Sequence, residues 1–284
     1  MALERVAHDG AWGLRFPTLT AASAVMVDAP DWPTVDLEVE FGVPDDGDDS
    51  SEWDAEGMHV RLLAGGRLEI SWPDRVRLLL RDHPIPECVV QPHLTTAAAS
   101  IALHTGRQAF HAGAFNVGGR TWGVLGAKEA GKSSTLALVA ARGAAVVTDD
   151  LLVVERGSAL AGPRCIDLRP EAAAVLGIGE ALGTVGLRER WRVRVDPCPL
   201  ATPVVGWVVP AWGDAPLTPV APVDRLRILL AHCALQGITM NDPDEYLRLA
   251  SLPMLSWSRR RDWTAAGPSV DELLGRLATV GHIG

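Results

Sequence analysis

Residues 126–134 read Gly-Ala-Lys-Glu-Ala-Gly-Lys-Ser-Ser, and no other stretch constrains the chain so tightly. Before them, Arg120-Thr-Trp-Gly-Val-Leu125 has the make-up of a strand. After them, Ser133-Ser-Thr-Leu-Ala-Leu-Val-Ala-Ala141 reads as a helix that ends before Gly143. A strand that passes through a glycine-bearing loop into a helix gathers loop N–H groups and a positive helix end at one point. The stretch fits G-x-x-x-x-G-K-[ST], a seat for the phosphates of a nucleoside triphosphate. Both lysines of the chain, Lys128 and Lys132, lie in it, while every other basic residue of the 26 is arginine. With lysine so scarce, a chance match is improbable. Lys132 holds the place from which an ammonium reaches the β and γ phosphates, and the Ser133 hydroxyl is placed for Mg²⁺. Lys128 takes a variable position and reads as a supplementary contact. Gly126, Ala127, Lys128, Glu129, Ala130, Gly131, Lys132, Ser133 and Ser134 are therefore the candidate nucleotide-binding residues, with ATP and Mg²⁺ as the expected cofactors.

A short apolar strand, Ala144-Ala-Val-Val-Thr148, follows the helix and ends in Asp149-Asp150. One carboxylate at such a strand end can hold Mg²⁺ through its water shell, and a second can take a proton from a nucleophile. The alternative is an Asp that only caps a turn. Another strand, Leu151-Leu-Val-Val-Glu155, comes next.

Composition narrows the function classes. With 48% hydrophobic and 21% charged residues over 284 positions, the chain is an ordinary globular mixture, large enough for one big domain or two small ones. A net charge of −9 argues against a nucleic-acid partner. No apolar run approaches a membrane span, and residues 1–10 lack a targeting pattern, so no membrane partner is expected and the cytoplasm is the default location. Cys88, Cys165, Cys198 and Cys233 show no metal or disulfide spacing and read as reduced packing residues. Ten tryptophans follow no period. Trp257 and Trp263, which flank Arg259-Arg260-Arg261, are either core or the lining of a peptide groove.

Residues 1–95 read as a β-rich N-terminal subdomain. Val35–Phe41 alternates, and His59–Leu63 with Arg67–Trp72 forms a hairpin around Ala64-Gly-Gly66. Pro44–Ser51 is an acidic loop without the ligand order of a calcium site. Ile85–Pro92 reads as a boundary, and residues 96–284 as the second domain. In it, Thr95–Thr105 is helical and Ala109–Val117 is one strand that pairs with Arg120–Leu125 across Gly118-Gly119. Residues 200–222 are Pro-rich strand fragments. Residues 225–236, 242–250 and 270–280 form a helical C-terminal part.

These pieces together resemble the HPr kinase/phosphorylase family over roughly residues 108–156. The matching parts are His111-Ala-Gly, the loop Gly126–Ser133, Arg142-Gly143 and Val147-Thr-Asp-Asp150. The likeness is greatest to the members found beside genes for ribosomally made, modified peptides such as lasso peptides. The resemblance implies an α/β fold with a P-loop kinase core of HPr-kinase type. It further implies that Lys132 holds phosphates, that Asp149 is the base for a substrate serine, and that Asp150 pairs with His111 or sits with Ser133 at the metal. His111 would orient the acid or touch the transferring phosphate. The parent family forms closed oligomers, so a homo-oligomer is among the expectations.

The chain also departs from that family. The downstream glycine-rich signature of the bifunctional parent is missing, so neither phosphorylase activity nor the carrier HPr as substrate is expected. Asp167 and Glu171 are the candidates for a second metal-binding acid. Arg188, Arg190, Arg192 and Arg194 alternate along a strand and read as a solvated face, or as a clamp on phosphate or peptide. The leading expectation is a Mg-ATP-dependent kinase acting on a serine of a peptide or small protein, such as a ribosomally made precursor. The alternatives are a nucleotide-dependent peptide-binding protein without transfer and a kinase of free serine or a sugar.

Overall fold

The computed structural model describes residues 8–43, 52–62, 65–235 and 242–280. The acidic stretch 44–51 thus lies outside the described residues, as do Ala64 in the expected hairpin and residues 236–241. The architecture is mixed α/β with several sheets.

Near the N-terminus, Asp36–Phe41, Arg75–Leu80, Gly66–Ser71, Gly57–Arg61 and Glu52–Trp53 pair in that order as a five-stranded sheet. Asp36–Phe41 runs parallel to Arg75–Leu80, and the other pairs are antiparallel. Leu37, Leu68, Ile70, Val76 and Leu78 share one core with the helix Thr95–His104, with Ala109 and with Val153. Val89 and Val90, in the stretch read as a boundary, are buried in that same core. A helix as rich in alanine as Thr95–His104 lets the flanking layers approach closely, and seven of its ten residues are buried.

The central sheet positions the site. Its order is Ala145–Thr148, Ala112–Val117, Arg120–Leu125, Ala201–Trp212, Ser158–Leu160, Leu152–Glu155, Gln108–Phe110. The 12-residue strand Ala201–Trp212 serves two partners on one edge: Ser158–Leu160 along its start and Met254–Arg259 along its end. Arg120–Leu125, Ala201–Trp212 and Met254–Arg259 are mutually parallel. Ala112–Val117 is antiparallel to Arg120–Leu125 and to Ala145–Thr148, so Ala145–Thr148 points the same way as the parallel trio. Four strands therefore end at one edge of the sheet, and Ala112–Val117 begins there.

Two glycine–tryptophan contacts lock the parallel centre. Trp122 lies opposite Gly206, and Gly123 opposite Trp207. A Cβ on Gly206 would come within 2.3 Å of the Trp122 ring, and one on Gly123 within 2.4 Å of the Trp207 ring. Each indole thus occupies the space that its neighbour's missing side chain leaves. Trp207 is fully buried and donates its indole N–H to the Leu249 carbonyl.

The expected single strand Ala109–Val117 is in fact two. Phe110 pairs with Leu152 at one border of the sheet, whereas Ala112 pairs with Leu125 near the other. The chain crosses between them at His111, whose N–H donates to the His232 carbonyl rather than to a sheet partner. The sheet curls, and the crossover is the point where its two borders meet. Helix Lys132–Ala140 covers one face and packs against the terminal helix Trp263–Val280 through Leu136, Val139, Val270 and Leu273. Arg142 ties the pair by binding Asp271 and the Gly267 carbonyl. Among the described residues, no helix is long and apolar enough to cross a membrane.

Candidate active site

The loop Gly126–Gly131 leaves the end of one parallel strand and turns into the helix at Gly131, whose φ is +78°. Only glycine adopts that conformation without strain, and here it also allows close approach. A Cβ on Gly131 would come within 2.2 Å of the Arg259 guanidinium. Ala127, Lys128 and Glu129 form the exposed crown of the loop, with Glu129 bound to Arg169 at 2.9 Å.

Lys132 is buried. Its ammonium folds back on the loop and donates to the Gly126 carbonyl at 2.7 Å and to the Ala127 carbonyl at 3.3 Å. His111 Nε2 lies 3.4 Å from the same nitrogen. Burial pushes the Lys132 pKa down, while Asp150 and Asp149 pull it back up. Enclosure by the site, then the Lys132 charge, pushes His111 down, although the imidazole stays accessible at the rim; Asp150 opposes this.

The two acids at the end of Ala145–Thr148 differ sharply. Asp149 is fully buried, with Ser133 Oγ donating to its Oδ1 at 3.1 Å and the Asp167 N–H to its Oδ2 at 3.2 Å. Burial, reinforced by the nearby Asp150 and Asp167, pushes its pKa up to about 8, against those two hydrogen bonds. Asp150 has a φ of +65°, a strained conformation for a residue with a Cβ. The Leu151 N–H donates to the Asp149 carbonyl at 2.8 Å and closes a tight turn about it. The turn presents the Asp150 carboxylate, 24% accessible, towards His111, Lys132 and Arg188, the last at 4.0 Å.

The loop lysine, the helix-start serine, both acids and the crossover histidine therefore gather at one edge of the sheet. Ser134 is the third helix residue, half-buried, next after Ser133.

The arginine run corrects the expected solvated face. Arg188–Arg194 pairs with Cys165–Leu168 in a separate three-stranded sheet. There Arg190 and Arg192 are buried and grip Asp167, which is fully buried, at 3.2 and 2.8 Å. Arg194 binds Glu87 at 2.8 Å. Asp167 is thus tied up as a structural anion whose backbone N–H serves Asp149. Glu171 lies in the first turn of helix Pro170–Leu176 and is exposed. Of the two readings open for Trp257, the structure bears out the core one: the residue is buried. The sequence reading missed Trp212 and the role of Arg259. Arg259 lies between the Trp212 and Trp257 rings, at 4.5 and 4.7 Å, and donates to the Ala130 carbonyl. The clue was the adjacency of Trp257 to an arginine triplet, but only strand pairing brings Trp212 there.

The donor set fits a small hard cation. A hydroxyl bound to a buried carboxylate offers the oxygen ligands magnesium takes. Among the described residues no group of three or more His, Cys, Asp or Glu side chains would hold a metal unaided. Magnesium suits such a sparse site, since it keeps waters and borrows phosphate oxygens.

No family model matches the chain, and no curated protein matches it. Among solved structures it is similar to the Hpr(Ser) kinase/phosphatase from Coxiella burnetii, at 16% identity over 62% of this chain and 94% of that one. The TM-score of 0.32 makes this a slight likeness.

Proposed function

We propose that the chain is a Mg-ATP-dependent kinase with a P-loop core, passing the γ-phosphate to a serine hydroxyl of a peptide or small protein. The observation that carries this reading is the Ser133–Asp149 bond beside Lys132, with Asp150 turned towards the same point. The loop N–H groups and the start of helix Lys132–Ala140 supply a positive cradle, and Lys132 exchanges its loop carbonyls for phosphate oxygens. Ser133 and Asp149 would hold magnesium, which neutralises charge on the phosphates. Asp150, the accessible acid, takes the hydroxyl proton as the serine oxygen bonds to the γ-phosphorus and the bond to ADP breaks. His111 borders both Lys132 and Asp150 and orients the acid. These roles reverse the two acids relative to the sequence expectation. A carboxylate sealed against Ser133 and a backbone N–H has no path to a substrate proton, whereas Asp150 has one. The exposed rim at His111 and the loop crown favours a macromolecular acceptor over a sequestered metabolite.

The test incubates the protein with Mg-ATP and serine-bearing peptides and weighs the products. Transfer adds one phosphate per acceptor. Asp150→Asn is expected to lower transfer by at least a hundredfold while nucleotide affinity stays within a fewfold. Full transfer by that variant removes Asp150 from the base role, and ATP binding without any transfer supports a nucleotide-dependent peptide-binding protein instead.

A further inference from the structure

The three mutually parallel strands end in the loop after Leu125, in Trp212 and in Arg259. Ligands of parallel α/β sheets lie beyond such carboxyl ends. Trp212 is one of the few large apolar side chains left open, 40% exposed. Its ring edge lies 3.6 Å from the point a Cβ on Gly131 would occupy, beside the phosphate-loop candidate.

Behind Trp212 an alternating column runs into the core, from Trp212 to Arg259 to the buried Trp257. Burial pushes the Arg259 pKa down to about 10, so the guanidinium is charged at neutral pH. No carboxylate among the described residues pairs with it, and its Nη1 has no hydrogen-bond partner. A buried cation without a counter-ion is costly, and the faces of two indoles compensate part of that cost. The exposed Arg261 also lies over Trp212, at 5.2 Å. A partly exposed indole with one guanidinium 4.5 Å and a second, exposed one 5.2 Å from its ring centre suits a flat, electron-rich heterocycle.

On the reading of the loop as a nucleotide site, we infer that Trp212 is the platform on which the nucleobase stacks, with Arg261 closing over it. Arg259 then holds both platform and loop in place through the Ala130 carbonyl. Stacking accepts any base because each has a π-face. The site would therefore bind a nucleoside triphosphate through its base as well as its phosphates.

Calorimetry with Mg-ATP and with magnesium tripolyphosphate, which lacks a base, separates the platform from the loop. Trp212→Leu should weaken ATP about tenfold, within the range for base–aromatic stacking, and leave tripolyphosphate within about twofold. Trp212→Phe, which keeps a stacking face and the support under Arg259, should keep most of the ATP affinity. Equal losses for both ligands in Trp212→Leu overturn the platform, as does undiminished ATP binding, while the loop reading survives either result. A wild-type protein that binds neither ligand overturns the loop reading, and the platform with it.

Discussion

At the residue scale, Asp149 carries the most informative electrostatics. Its folded pKa, about 8, lies above the ordinary 3.8. A raised acid holds its proton in the native state at pH values where the unfolded chain has released it. Its contribution to stability is complete below about pH 4 and is lost as pH rises through 8. Asn resembles the protonated acid in shape, so without ligand the melting temperature of Asp149→Asn should exceed that of the wild type by a margin that widens from pH 5 to pH 8 and levels off above it. Parallel melting profiles for the two proteins would show that Asp149 ionises freely, which its burial and its bond from Ser133 argue against. The same burial gives the residue its proposed use. A carboxylate that resists ionisation in isolation is one whose charge a cation can recruit.

At the scale of elements, the Trp122–Gly206 and Gly123–Trp207 contacts set the spacing of the parallel centre, and with it the height of the loop above Trp212. Gly206→Ala places a Cβ 2.3 Å from the Trp122 ring and 2.8 Å from the Pro253 carbonyl. Overpacking of this kind costs about 1–3 kcal/mol, which chemical denaturation reads directly. Combined with Trp122→Leu, its cost should fall well below the sum of the two single effects, since the clash is with that indole. Additive effects would mean the strain lies in the backbone. This scale also marks how far the sequence was legible. The strand Arg120–Leu125, the helix Lys132–Ala140 and the Asp149-Asp150 strand end follow from local chemistry, namely glycine spacing, apolar runs and a lysine in a nearly lysine-free chain. The break at His111 was not legible, because it depends on two borders of a curled sheet meeting. Nor was the burial of Arg190 and Arg192, since alternating arginines are solvated unless a partner strand brings an acid, and here Asp167 comes from more than 20 residues away. The separate fates of Asp149 and Asp150 turn on one positive φ, which neighbours in sequence do not reveal.

At the scale of the molecule, the candidate site draws on distant parts of one sheet. Residue 111 comes from a crossover, 126–133 from a loop, 149–150 from a strand end, and 212 and 259 from the ends of two further strands. The helix over the site is packed by the terminal helix, and the strands beneath it by Trp207 and Tyr246. A ligand that binds at this edge therefore binds only the assembled fold, and by linkage it should stabilise the whole. At a Mg-ATP concentration about 100 times its dissociation constant, the gain is about 2.7 kcal/mol. For a chain of this length that corresponds to a rise in melting temperature of roughly 4–5 °C. Lys132→Met keeps the apolar stem in its buried place and removes only the ammonium that now rests on the Gly126 and Ala127 carbonyls. The unliganded variant should melt close to the wild type, because the lost hydrogen bonds are offset by the relief of burying a charge. Its Mg-ATP shift should shrink to less than half at the same ligand concentration, since the phosphates lose their point charge. A shift of undiminished size in Lys132→Met would place the nucleotide away from this loop, and the roles of Ser133 and both acids would move with it.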